Sequence, residues 1–277
     1  MVRALLGGAV ASIGSVLVVL LMVTGFWPGS GNLLHLPPPG QAGGGSQGPQ
    51  PSQGGAMRSV GGPVHNCPGP QGVHQEGFLL LCLNFNEQVF GVAHHDSPVP
   101  CFDSTGNCLD PTDPAWPNKG DAGVALAGRI PFWMPATGNG ATAVKSALNF
   151  GPERGGSITV SVPAGKYGDM YLIAAAGNGP GPVDISFHDA NGATQHTTQQ
   201  FDDWCVASVG GSPAGVVAVQ PQGRWDNHGN PTTPGCGVLE YGVRIPNSSQ
   251  TLTSITFRND PSNQQTFEPN ILAITLK

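Results

Sequence analysis

Gly168-Asp169-Met170-Tyr171-Leu172-Ile173-Ala174-Ala175-Ala176-Gly177-Asn178-Gly179 holds an unbroken apolar run between two glycine-bearing turns. The run is short for a helix and its turns are strand punctuation, so it reads as a central β-strand covered on both faces. Its neighbours alternate instead. Ile158-Thr159-Val160-Ser161-Val162 and Val183-Asp184-Ile185-Ser186-Phe187 place apolar residues at every second position, the pattern of strands with one buried face. Asp189-Ala190-Asn191-Gly192 separates Val183–His188 from Thr194–Phe201 and supplies the Asn-Gly signal of a tight hairpin. Working outward, further β-prone runs are Phe78–Phe85, Gln88–Ala93, Val124–Met134, Ser157–Val162, Gly215–Gln220, Val238–Ile245, Thr251–Arg258 and Ile271–Leu276. Many short strands with turn residues between them predict an all-β fold, a sandwich or a barrel of antiparallel strands.

Composition agrees. Charged residues make up 10% of the 277, with 42 Gly and 27 Pro, so strong helix formers are scarce. Eleven basic residues against seventeen acidic, with no basic cluster, exclude the electrostatic footprint of a nucleic-acid binder.

The N-terminus has a different character. After residues 1–3, the stretch from Ala4 to Trp27 has no charged residue and is long enough to span a bilayer, which takes about 20 apolar residues. It closes on Thr24-Gly25-Phe26-Trp27-Pro28 rather than on a small-x-small cleavage site, which favours an uncleaved anchor over a signal peptide. Arg3 flanks it and no Lys or Arg follows until Arg58, so the bulk of the chain is expected outside a cell membrane, or secreted if the segment is cleaved. Residues 28–63, rich in Pro, Gly, Ser and Gln, read as a disordered linker, and 64–277 as the folded domain.

The cysteines, six in number, all follow the apolar segment. In an exported chain they read as a disulfide framework, with local pairing expected: Cys67 with Cys82, Cys101 with Cys108, and Cys205 with Cys236. No C-x-x-C pair supports zinc.

The run Gly168–Gly179, the hairpin at Asp189-Ala190-Asn191-Gly192 and the closing Gln200-Phe201-Asp202-Asp203-Trp204-Cys205 together resemble a β-sandwich module of bacterial secreted glycoside hydrolases, such as α-mannosidases and fucosidases. The likeness extends loosely from Phe85 to the C-terminus. The Cys- and Asp-rich insert from Cys101 to Asp121 departs from it, and no hydrolase domain is present. The resemblance implies a jelly-roll-like sandwich with an ancillary, carbohydrate-associated role, and it transfers no catalytic residue.

Sugar binding needs an aromatic face beside planar polar groups. Trp225, in a Gly-punctuated polar stretch with Asp226, Asn227 and His228, is the leading candidate, with Trp116 second. Trp133 reads as core, and Trp204 as packing beneath the hairpin next to a disulfide. Asp103, Asp110 and Asp113, on the same insert as Asn107 and Asp121, offer hard oxygen ligands for a structural calcium ion, although Asp110-Pro111 and Asp113-Pro114 also suit ordinary turns. His94 and His95 are adjacent, so on a strand they face opposite ways and do not share one ion. No nucleophile elbow, H-E-x-x-H or phosphate loop occurs, and Asp202-Asp203 do not face one substrate, so a non-enzymatic role is expected. Asn247-Ser248-Ser249 is a glycosylation sequon. The expected function is binding of carbohydrate from a cell envelope or an external polymer. The alternatives are a structural, adhesion or protein-interaction surface and, behind it, a glycoside hydrolase whose acid pair assembles only in space.

Overall fold

Continuous and alternating apolar sequence end up in different sheets of the computed structural model, which describes residues 57–59, 67, 69, 71–87, 89, 108–109, 116–137, 144–205, 215–219, 224–225, 231–232, 236–260 and 266–277. The strands are β1 (Arg58–Ser59), β2 (Val73–Gln75), β3 (Phe78–Leu80), β4 (Cys108–Leu109), β5 (Gly123–Ala127), β6 (Ile130–Met134), β7 (Leu148–Asn149), β8 (Ser157–Gly165) and β9 (Asp169–Gly177). They continue as β10 (Gly181–Asp189), β11 (Thr194–Phe201), β12 (Val216–Val219), β13 (Arg224–Trp225), β14 (Pro231–Thr232), β15 (Val238–Arg244), β16 (Leu252–Asn259) and β17 (Glu268–Leu276). Among the described residues there is no α-helix, and the antiparallel sheets do not close into a barrel.

β9 lies inside a seven-stranded sheet ordered β12-β15-β9-β17-β3-β2, with β7 also paired to β17. Every residue from Met170 to Gly177 is buried, as the continuous apolar run requires. The two faces have different covers. On one, Tyr241 of β15 stacks on Phe201 of β11 with ring centroids 5.0 Å apart, and register puts Leu172 and Ile274 beside it. That face meets a four-stranded sheet ordered β11-β10-β16-β8. On the other, Thr275 donates its hydroxyl to the Pro131 carbonyl at 2.6 Å, and Tyr171, register partner of Thr275, meets Phe78 edge-on at 6.3 Å. There the cover is β6, part of a three-stranded sheet β1-β5-β6. Each large apolar side chain buried in these layers contributes roughly 2 kcal/mol by area.

The four-stranded sheet alternates as its sequence does. Val183, Ile185, Phe187, Phe201, Ile255 and Phe257 are buried toward the central sheet, while Asp184, Ser186, His188, Thr256 and Arg258 face away. The β10–β11 hairpin forms where expected, but by a different turn. Gly192 alone is left-handed, at φ +83, and Asp189 Oδ1 accepts the amide hydrogens of Asn191 at 2.8 Å and Ala193 at 2.9 Å. A capped turn with one left-handed glycine replaces the Asn-Gly two-residue turn.

Three expectations need correction. Val124–Met134 is not one strand but the hairpin β5–β6, reversing at Gly128-Arg129 with Gly128 at φ +55, the turn that takes glycine first. The folded part begins before residue 64: Met57 is 6% exposed, and Arg58 and Ser59 pair with Leu126 and Ala125 of β5. Phe78–Phe85 keeps ladder pairing only to Leu80, with Leu81 adding one amide bond to Ile274, and then leaves the sheet. The anchor segment and most of residues 28–63 lie outside the described residues, and no described helix is long and apolar enough to cross a membrane.

Two local disulfides are present, Cys67–Cys82 and Cys205–Cys236. Cys108 is also disulfide-bonded, and its expected partner Cys101 lies outside the described residues.

Candidate functional site

The stretch that closes the resemblance, Asp202-Asp203-Trp204, turns out to be structural. Asp202 accepts the Tyr241 hydroxyl at 3.2 Å and the Gly215 amide at 3.0 Å, while its own amide donates to the Tyr241 oxygen at 2.9 Å. A Cβ at Gly215 would lie 2.7 Å from the Tyr241 ring, so only glycine lets that amide approach. Asp203 holds the amides of Gly179 at 2.7 Å and Cys205 at 2.8 Å. Both carboxylates thus hold loop backbone in place. Burial, reinforced by the Asp202 charge, pushes the Tyr241 hydroxyl well above its ordinary pKa of 10.0. Trp204 is 2% exposed and belongs to the core cluster.

The outward face of the four-stranded sheet is different, because its polar side chains serve one another. His188 Nδ1 lies 3.0 Å from Thr194 Oγ1 and Nε2 2.9 Å from Thr256 Oγ1. Thr256 Oγ1 in turn is 2.8 Å from Thr159 Oγ1. One hydrogen-bonded row therefore crosses β11, β10, β16 and β8. Beside it, Ser186 Oγ is 2.9 Å from His196 Nδ1, and Thr198 donates to Asp184 at 3.1 Å. Hydroxyls both donate and accept, so each threonine in the row can serve two partners.

The row ends at a cleft. An opening of about 450 Å³ lies between β8 and the chain that leaves β3, lined by Leu81, Asn84, Asn86, Ile158, Val160 and Ser161 together with Leu148, Cys82 and Thr159. Its walls form because Asn86 mimics a strand: its side-chain amide donates to the Asn149 carbonyl and accepts the Asn149 amide, both at 2.8 Å. Behind it, Asn149 donates to Asn270 at 3.0 Å, and Asn270 donates to the Glu268 carbonyl at 3.0 Å. Asn84 is exposed at the rim. Among the described lining residues none is charged.

The residues singled out by sequence are scattered. Trp116 is 3% exposed and belongs to the core, so it presents no ring face for stacking; a tryptophan next to a proline-rich turn reads as exposed only until its packing is known. Trp133 is 5% exposed, as expected of core. Trp225 is not in a loop: it is on β13, opposite Cys108 of β4 and Pro231 of β14. Asp226, Asn227 and His228, the link from β13 to β14, lie outside the described residues, as do Asp103, Asp110 and Asp113. Among the described residues no group of three His, Cys, Asp or Glu is placed to hold a metal. Sequence reasoning passed over Thr159, His188, Thr194 and Thr256, although their alternating polar positions were visible. Compared with known proteins, the chain matches no family model and no curated protein.

Proposed function

We propose that this is a non-catalytic carbohydrate-binding domain of jelly-roll type. It is carried outside a cell membrane by the apolar segment Ala4–Trp27, or secreted after that segment is cleaved. The observation that carries the reading is the uncharged cleft continuous, through Thr159, with the hydroxyl and imidazole row. A pyranose offers C–H faces and a rim of hydroxyls. In place of the aromatic ring expected from sequence, Leu81, Leu148, Ile158 and Val160 offer aliphatic surface to the first, and Asn84, Thr159 and Ser161 suit the second. Among the described lining residues none is charged, which favours a neutral glycan over an anionic one, because they offer no cation to offset the desolvation of an anion. The likeness of Gly168–Cys205 to modules of secreted glycoside hydrolases supports the same class of ligand.

The test is retention of the full chain on a glycan array and on insoluble envelope and external polysaccharides, with and without calcium. Asn84→Ala and Ser161→Leu are expected to weaken binding about tenfold or more. Should those chains bind normally while Trp225→Ala loses binding, the site belongs to Trp225–His228 instead. Calcium-dependent binding supports an ion held by Asp103, Asp110 and Asp113. A folded chain retained by no glycan ends the carbohydrate reading and leaves a protein-recognition or display surface.

A further inference from the structure

Sheet edges in soluble proteins are normally blunted by charge, proline, bulges or brevity, since an open ladder of N–H and C=O groups invites another strand. Three edges here follow that rule. β2 spans only 3 residues, β12 shifts register against β15 between Val217 and Val219, and β8 carries Pro163 and a register shift opposite Leu252/Ser254. β11 does not follow it. Thr194-Gln195-His196-Thr197-Thr198-Gln199-Gln200-Phe201 has no Lys, Arg, Asp, Glu or Pro, and pairs with β10 without a shift from His188↔Thr194 to Gly181↔Phe201. Among the described residues no strand occupies its other edge. Thr194, His196, Thr198 and Gln200 are exposed, and Gln195, Thr197 and Gln199 are only partly buried.

We propose that the β11 edge pairs antiparallel with β11 of a second copy of this chain, joining two four-stranded sheets into one. A second copy fits because the edge complements itself. A twofold axis through Thr197, perpendicular to the sheet, sets Gln195 opposite Gln199, His196 opposite Thr198 and Thr194 opposite Gln200, each pair on the same face. No like charges meet, and amide–amide and hydroxyl–imidazole pairs are favourable across strands. A single strand pair buries less than the roughly 1,600 Å² of a standard stable interface, so the dimer is weak, with Kd on the order of 10 µM to 1 mM. The pairing would also make the outward polar rows of the two copies continuous. Its evidence is the β11 edge alone and does not depend on carbohydrate binding.

Sedimentation equilibrium of the full chain in a density-matched detergent, from about 1 µM to about 1 mM, reads the association. The register supplies paired variants. His196→Lys with Thr198→Lys sets like charges opposite each other twice and is expected to weaken the dimer at least about tenfold. His196→Glu with Thr198→Lys sets opposite charges there and is expected to restore it. Both positions are exposed, and near-ultraviolet circular dichroism checks that each chain is folded. A wild-type chain monomeric throughout, leaving the edge to a foreign strand, overturns the proposal. So does a dimer that the two double variants leave equal.

Discussion

Strands β9 and β11, 9 and 8 residues long, are built from opposite sequence: β9 is apolar from Met170 onward, whereas β11 is polar until Phe201. What separates them is the number of covers. β9 has a sheet against each face and neighbours on both edges, so any polar side chain there would have to find a buried partner. β11 has one neighbour, and among its residues only Phe201 is buried. The strands between these extremes, β10 and β16, have one cover and alternate. Coverage, counted in faces and edges, thus explains the three sequence patterns of one domain.

That comparison can be broken first at its staple. Cys205 follows β11 of the outer sheet and Cys236 precedes β15 of the central one, with 31 residues of separation. Replacing both by Ser should cost about 4 kcal/mol through loop entropy, measured by urea unfolding of oxidised chains; a loss below about 1 kcal/mol would mean that the sheets hold together without it. Next in size is Leu172→Ala, at a site with 0% exposure, expected to cost about 3 kcal/mol, against less than about 0.5 for Thr197→Ala on β11. Equal losses at the two sites would refute the coverage argument.

Tyr241→Phe probes the junction between the sheets and should cost about 1–2 kcal/mol, because it leaves Asp202 without its phenol partner. It also carries a pH signature. Tyr241 titrates above 10.0 when folded, so below that ordinary value both states are protonated and it adds no pH dependence. Above it the unfolded chain releases a proton that the folded chain keeps, so stability falls as pH rises, by at most about 1.4 kcal/mol per unit for this group. The phenylalanine chain should show a shallower alkaline decline. Some decline remains, since burial also raises Tyr167 and Tyr171. The smallest stability effect is expected at Thr256→Val on the outward face, within about 0.5 kcal/mol, while glycan retention falls with loss of the row from His188 to Thr159.

Asn84, Asn86, Thr159, His188 and Thr256 could not be grouped by reading along the chain, because no spacing rule connects them. Their proximity comes from the registers His188↔Thr194, Thr256↔Thr159 and Asn270↔Asn149. Trp116 shows the reverse: its sequence neighbours are polar or turn-forming, and its burial comes from the core cluster it joins. The β5–β6 reversal at Gly128 was readable in principle, since glycine as the first residue of a two-residue turn is a local signal.

What the sequence determined by itself was whatever depends on near neighbours: the all-β class, the doubly covered strand Met170–Ala176 and the hairpin at Asp189–Gly192. Pattern period and short loops settle these before any distant contact forms. Only the tertiary structure decided which strands became edges, that Met57–Ser59 belongs to the fold, and that a polar row leads to an uncharged cleft. Those depend on pairings between segments far apart in the chain, where the choice of partner is made by the summed burial of whole faces and not by any one residue.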